Sequence, residues 1–379
     1  MRAEQPVCRV TLPDKTPVWL VTRYEDVKTL LTDERFAKSR YNALTPEQLR
    51  KQPWVPPMFR PLERTMIDLD SPDHTRLRQF AHKAFTPRLI EQMRERVRTL
   101  ANDLLDAVAR KGEMDLIRDY SLPLPMTIIT EILGVPTQDR DKFHKWSKVI
   151  VAVDQFNANW RVIPAIWMFN RYLRGFFKSR RNDLRDDLVS ALINAEGAGD
   201  RLSEDELLAM GFLLLVAGHE TTVNLIGSGL LELLQHPDQM ERLRHALSLI
   251  ESAVEELLRY TAPVFMSTER YAREVVTIHR VTIPRGEMAL GVIGSANRDE
   301  TVFENPDTLD IAREPNKHLS FGHGIHYCLG AALARLEAQI AVNTLLERTP
   351  KLRLKGSPES LRWRRSLILR GLESLPVKF

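Results

Sequence analysis

Cysteine is nearly absent from this sequence, with only Cys8 and Cys328 in 379 residues. Two thiols so far apart make a poor disulfide framework, which points to a reducing, cytoplasmic compartment. No apolar run reaches the ~18 residues of a membrane span. The most hydrophobic stretch, Leu207 to Leu234, carries His219 and Glu220 at its centre. A charged-then-apolar leader is missing as well, so no membrane anchor is expected. Charge of one sign is also scarce: 54 Lys and Arg face 50 Asp and Glu, a net +4. That excess lacks the concentrated basic stripe of a nucleic-acid binder. There is no G-x-G-x-x-G segment, hence no sign of a fused dinucleotide-binding unit. No repeat, low-complexity tract or shift in composition divides the chain, and residues 1–379 read as one domain.

What is present is ordinary globular material, 43% hydrophobic and 27% charged, enough to bury a large core with room for a cofactor. The patterns predict a strand over Val18 to Thr22 and a helix over Tyr24 to Leu31. Asn42 to Leu69, rich in proline, reads as a long loop with one short helix. Ser71-Pro72 and Thr86-Pro87 each pair a capping residue with a first-turn proline. They open helices reaching Ala84 and Ala109. Further helices are expected over Pro123 to Leu133, Gln138 to Val153, Ile163 to Ser179, Leu184 to Ala195 and Ser203 to Leu234. Ser203 and Glu206 form a capping-box pattern. Helices then follow over Pro237 to Leu249 and Ile250 to Tyr260. Val275 to Ile278, Val281 to Ile283 and Met288 to Ile293 switch to strand period. The last long helix runs from Leu329 to Leu346. The fold class is mainly α with a minor β region.

Two segments carry chemistry. The first is Phe321-Gly322-His323-Gly324-Ile325-His326-Tyr327-Cys328-Leu329-Gly330, a lone thiol in a glycine-bearing loop at the mouth of a helix. A helix N-terminus favours the thiolate of a group whose free pKa is ~8.5. Gly324 and Gly330 let the backbone approach a flat ligand, and Ala331, Ala332 and Ala334 continue a small-residue face. Three plainer readings stand beside this one. The cysteine is a small inert core residue, a zinc ligand with His318, His323 and His326, or a nucleophile paired with a histidine. The second segment is Ala217-Gly218-His219-Glu220-Thr221-Thr222, a polar break in an apolar helix. A buried carboxylate without a partner is costly. Thr221 can bond back to the Ala217 carbonyl. Gly218 leaves space for a small molecule such as O2, and Glu220 with Thr221 could relay protons.

Phe321, Gly324, His326, Cys328 and Gly330 together resemble the haem-binding signature of the cytochrome P-450 family. A chance match of these types is on the order of one in ten thousand for a chain of this length. Ala217, Gly218, Glu220 and Thr221 resemble the family's distal-helix motif. The resemblance implies the cytochrome P-450 fold, with haem b (iron protoporphyrin IX) between that helix and the cysteine-loop helix. It implies Cys328 as the iron ligand and Glu220 and Thr221 as the proton-delivering pair. Glu-x-x-Arg occurs six times, from Glu47, Glu91, Glu95, Glu241, Glu256 and Glu359. By its order in the chain, Glu256 with Arg259 resembles the family's structural ion pair. The usual downstream Arg-Phe element is replaced by Thr308-Leu309, leaving Arg298 or Arg313 to complete that network. His74 with Arg78, Arg270 and His326 resemble the contacts to the haem propionates. Taken singly, each of these is also readable as an ordinary surface cation.

The implied activity is insertion of one oxygen atom from O2 into an apolar substrate by hydroxylation or epoxidation. Met210, Leu214, Phe265, Met266 and Ile368 are the expected pocket residues. Electrons would come from a ferredoxin or flavodoxin-type donor with its NAD(P)H reductase, with Arg76 and Arg335 as candidates for the docking surface. The alternatives are a peroxide-dependent or isomerising haem-thiolate enzyme, and a non-enzymatic haem sensor or carrier.

Overall fold

A computed structural model describes residues 2–52, 55–140, 142, 145–146, 162–195 and 200–379. The helices are α1 (Tyr24–Thr32), α2 (Pro46–Arg50), α3 (Asp73–Ala84), α4 (Pro87–Ala109), α5 (Pro123–Ile132), α6 (Val162–Asn182), α7 (Leu188–Asn194), α8 (Glu204–Gln235), α9 (Pro237–His245), α10 (Ile250–Thr261), α11 (Ile293–Ala296) and α12 (Ala331–Arg348). Of these, α2, α4, α7 and α8 begin on a side-chain cap. The Thr86 hydroxyl accepts the Leu89 N–H, with Pro87 in the first turn of α4. The Ser203–Glu206 capping box is formed in both directions at the start of α8. The helix expected over Gln138 to Val153 falls mostly outside the described residues.

Helix α8 is the axis of the molecule. It packs against α5, α6, α10 and α12, while α12 lies along α4. One large apolar cluster unites these helices, with Leu208, Ile226, Leu230, Leu257 and Leu345 among its fully enclosed members. In α4 the buried positions Ile90, Val97, Leu100, Ala101, Leu105 and Val108 follow helical spacing, which turns one stripe toward α12. Helix α8 is long and apolar enough to cross a membrane, but most of that window is buried inside the fold.

The strands are β1 (Val7–Thr11), β2 (Pro17–Val21), β3 (Phe36–Ala37), β4 (Glu113–Asp115), β5 (Arg270–Ala272), β6 (Val276–Ile278), β7 (Val281–Ile283), β8 (Met288–Gly291), β9 (Arg353–Leu354) and β10 (Pro376–Lys378). The main sheet has the order β1-β2-β8-β5-β3. Only β2 and β8 run parallel, with Leu20 opposite Leu290. A second apolar cluster, including Val21, Val27, Leu30, Ala289 and Ile293, seats α1 on this sheet. Strands β4, β10 and β9 form a small sheet that ties the C-terminus to the end of α4.

Several boundaries differ from the sequence reading. The strand expected to reach Ile293 ends at Gly291, and Ile293 opens the short helix α11. Apolar residues continue across that junction, so hydropathy gives no stop. Ser71 makes no cap to α3, its hydroxyl meeting Thr75 instead. The helix expected from Leu184 starts at Leu188, where the Asp187 carboxylate accepts the Ser190 N–H. The helix over Pro237 to Leu249 ends at His245 and is followed by a separate 3-10 turn. The last helix starts at Ala331 rather than Leu329, leaving Cys328 in the preceding loop.

Candidate active site

The cysteine loop is shaped by two left-handed glycines, Gly322 and Gly324, each with φ of +73°. A side chain at Gly324 would also press on Thr32 and the Leu31 carbonyl of α1, so the loop is seated against that helix. Gly330 has an ordinary φ of −87° and open space beside it. Room, and not backbone freedom, is what it supplies. The Cys328 N–H donates to the Phe321 carbonyl at 2.9 Å, and the Gly330 N–H is directed at the sulfur. Cys328 is accessible, but the protein crowding around it pushes its pKa up. The Gly330 N–H, Arg78 and Arg335 pull the other way. Desolvation outweighs these groups, although the N–H at the helix mouth acts in the direction expected. A coordinated metal ion would supply the missing positive charge. The zinc arrangement is not formed: His318 turns to Glu255 and His326 to His74. Among the described residues no three His, Cys, Asp or Glu side chains converge on one point.

Beside Cys328, His326 of the loop meets His74, Arg78 and Arg270, nitrogen groups that form no direct ion pair among the described residues, with Asp70 acting on His74 and Arg270 from nearby. The His74 and His326 rings lie 4.2 Å apart. Nδ1 of His74, Nε2 of His326 and Nε of Arg270 are buried and have no hydrogen-bond partner. Burial, with Arg78 and Arg270 nearby, lowers the His74 pKa to about 4. Burial likewise lowers Arg270 to about 10 and holds His326 far below its usual value. Arg78 donates to Nε2 of His82 at 3.0 Å. Buried donors left unpaired are costly, and this set has the chemistry to bind a dianionic group. The two propionates of haem b fit it. The sequence reading missed Lys38, which is buried beside the same cluster. Its Nζ donates to the Thr268 hydroxyl at 2.8 Å and the Glu269 carbonyl at 3.0 Å. Burial and Arg270 lower its pKa to about 8. A loop lysine without periodic context gives no sequence signal.

Across the site, α8 exposes Ala217 and leaves Thr221 half-buried, while His219, Glu220 and Thr222 are buried. The Thr221 hydroxyl donates to the Ala217 carbonyl at 3.3 Å. Gly218 does not open space for a small molecule, because a Cβ there would meet Ile129 of α5 at 3.1 Å. Its smallness serves helix packing. Glu220 is buried and paired with Arg364 from the C-terminal segment. Burial raises its pKa, and Arg364 opposes that shift. Arg364 was not anticipated. It reaches α8 because the Trp363–Leu372 bridge folds the tail back and because Gly371 has no Cβ where the Asn224 amide sits.

Among the expected pocket residues, Phe265 and Met266 both donate their N–H groups to the Ile368 carbonyl, at 2.7 and 3.4 Å. The structure thus joins these three. The Phe265 ring lies on Gly294. Leu214 is partly buried on α8, whereas Met210 is enclosed in the main apolar cluster.

Glu256 and Arg259 are both fully buried. Glu256 accepts bonds from Arg259, Arg313, Asn316 and the Asp310 N–H, all between 2.7 and 3.2 Å. Arg259 also donates to the carbonyls of Asn297, Pro306 and Thr308. Arg313 completes the network; Arg298 instead stacks on Tyr260 and pairs with Asp307. The pairs at Glu91, Glu95 and Glu241 have exposed carboxylates. Neither docking candidate is a free cation, since Arg76 is engaged by Asp200 and Glu206 and Arg335 by Glu255.

The Cytochrome P450 family model matches residues 3–350. Cytochrome P450 107B1 of Saccharopolyspora erythraea is 48% identical over 377 residues, covering 99% of this chain and 92% of that protein. Polyketide biosynthesis cytochrome P450 PksS of Bacillus subtilis is 45% identical over 379 residues, covering 99% and 93%. The solved structure of PksS superposes with a TM-score of 0.93 at 44% identity, covering 100% of this chain and 94% of that one. P450BioI, solved with an acyl carrier protein bearing hexadec-9Z-enoic acid, gives a TM-score of 0.89 at 39% identity, covering 100% and 96%. Bacterial members of this family are haem monooxygenases that draw electrons from redox partners to oxidise a bound substrate. The chain belongs to the cytochrome P450 family.

Proposed function

We propose that Cys328 is the axial ligand of haem b in this monooxygenase, and that His74, Arg78, Arg270 and His326 hold the propionates. The observation that carries this assignment is the single accessible thiol set beside buried nitrogen donors with no protein partner. When bound, thiolate-ligated haem supplies O2 activation, because sulfur pushes electron density toward iron. The chain's own residues do the rest. Glu220 and Thr221 are successive residues of α8, one turn beyond the exposed Ala217, and move protons between Glu220 and the Thr221 hydroxyl by way of water. Arg364 pairs with Glu220 and opposes the rise that burial imposes on its pKa. The substrate is apolar and of the polyketide or fatty-acyl type. Partly buried Leu214 and Met266 support this, together with relatives named for polyketide biosynthesis and mycinamicin oxidation. Electrons come from a cytoplasmic ferredoxin or flavodoxin with its NAD(P)H reductase.

The test is the absorption spectrum of the reduced protein with carbon monoxide, in wild type and Cys328→Ser, followed by a screen of macrolides and fatty acids for shifts in ferric spin state. The thiolate-type band is expected in wild type and lost in the variant. An unchanged band in Cys328→Ser removes the ligand assignment, and no spin shift with any member of either class removes the substrate reading.

A further inference from the structure

Helix α10 carries two successive carboxylates that face different ways. Glu256 enters the Arg259–Arg313 network. Glu255 turns toward α12 and the cysteine loop, where it accepts two bonds from Arg335, at 2.7 and 2.8 Å. It also lies 3.2 Å from Nε2 of His318. The other ring nitrogen of His318 accepts the Ser320 N–H at 3.2 Å, so Nε2 carries the hydrogen and donates to Glu255. Burial pushes the Glu255 carboxyl up, yet the bonds from Arg335 and His318 hold it at about 2.

The Arg335 guanidinium does more than pair. Its central carbon lies 4.4 Å from the centroid of the Phe321 ring, and its Nη1 donates to the Tyr327 hydroxyl at 3.3 Å. The His318 ring approaches the same phenyl group at 5.9 Å and Tyr327 at 6.2 Å. Phe321 is therefore clamped by one fixed guanidinium plane, and its carbonyl is the group that accepts the Cys328 N–H at 2.9 Å. The path from Glu255 through Arg335 and Phe321 to the cysteine backbone is continuous.

We propose that Glu255, Arg335 and Phe321 form a proximal brace, separate from the Glu256 network, in which Arg335 is a positioning residue for Cys328 and not a docking cation. A planar fork that binds a carboxylate with two bonds while stacking on an aromatic ring has no lysine equivalent. Geometry, not charge alone, is what the brace requires. The inference rests on Cys328 being the haem ligand.

The experiment uses holoprotein of wild type, Arg335→Met, Arg335→Lys and Glu255→Gln, each checked by far-UV circular dichroism. Haem release to excess apomyoglobin is timed. Separately, the rate of iron reduction is titrated with a [2Fe–2S] ferredoxin at two ionic strengths. Both arginine variants are expected to release haem about tenfold faster, the equivalent of ~1.4 kcal/mol. Glu255→Gln should follow in the same direction, with half-saturating ferredoxin unchanged within about twofold. Release within about twofold of wild type in both arginine variants overturns the brace. So does normal behaviour of Arg335→Lys with weakened ferredoxin affinity in Arg335→Met, the signature of a docking charge. Failure of the ligand assignment is read independently, from a wild-type protein that lacks the thiolate-type carbon monoxide band.

Discussion

Replacing Glu256 with alanine is the sharpest test of the proximal network. The carboxylate is fully buried and receives Arg259, Arg313, Asn316 and the Asp310 N–H. Its loss strands the Arg259 guanidinium, also fully buried, with three carbonyl partners but no counter-charge. Removing one partner of a buried pair costs roughly 3–5 kcal/mol, and the surviving carbonyl bonds place this case near ~4 kcal/mol. An unfolding entropy of about 2.1 cal/mol/K per residue gives ~0.8 kcal/mol/K for this chain. The melting temperature should therefore fall by ~5 °C. Differential scanning calorimetry of the holoprotein measures it, with Glu91→Ala as the control on an exposed pair of the same spacing. A drop below ~1 °C for Glu256→Ala, or equal drops for the two variants, would refute the argument that burial gives this pair its weight.

Further outcomes follow from the same geometry. Thr221→Ala is expected to retain haem while diverting NAD(P)H-derived electrons to hydrogen peroxide, at least several-fold above wild type; unchanged coupling removes Thr221 from proton delivery. Arg364→Met withdraws the cation that opposes the burial-driven rise in the Glu220 pKa. Infrared difference spectra should then show a protonated carboxyl that disappears in the Arg364→Met/Glu220→Gln double variant. His74 is depressed from 6.5 to about 4, so the unfolded chain binds its proton first as pH falls. That contribution to apoprotein stability is full above about 6.5 and lost on descending toward about 4. His74→Asn should flatten the pH dependence across this window in urea titrations, and an unaltered slope would show that His74 does not carry it.

Much of the architecture was legible because its signals are local. Thr86-Pro87 and the Ser203–Glu206 box start helices with groups a few residues apart, and the cysteine loop is contiguous in sequence. The Glu256–Arg259 pair was told from its exposed look-alikes by its order in the chain together with the family resemblance. What tertiary structure alone decided lies in long-range partnership. Arg364 meets Glu220 across 144 residues, Arg313 rather than Arg298 completes the buried network, and Lys38 comes to rest beside Arg270. Gly218 turned out to face Ile129, because a glycine's missing side chain says nothing about which neighbour fills the gap. Sequence spacing fixes which atoms neighbour one another along a helix or tight loop. Which buried charge finds which counter-charge depends on how separate elements pack, and that is set by the whole core.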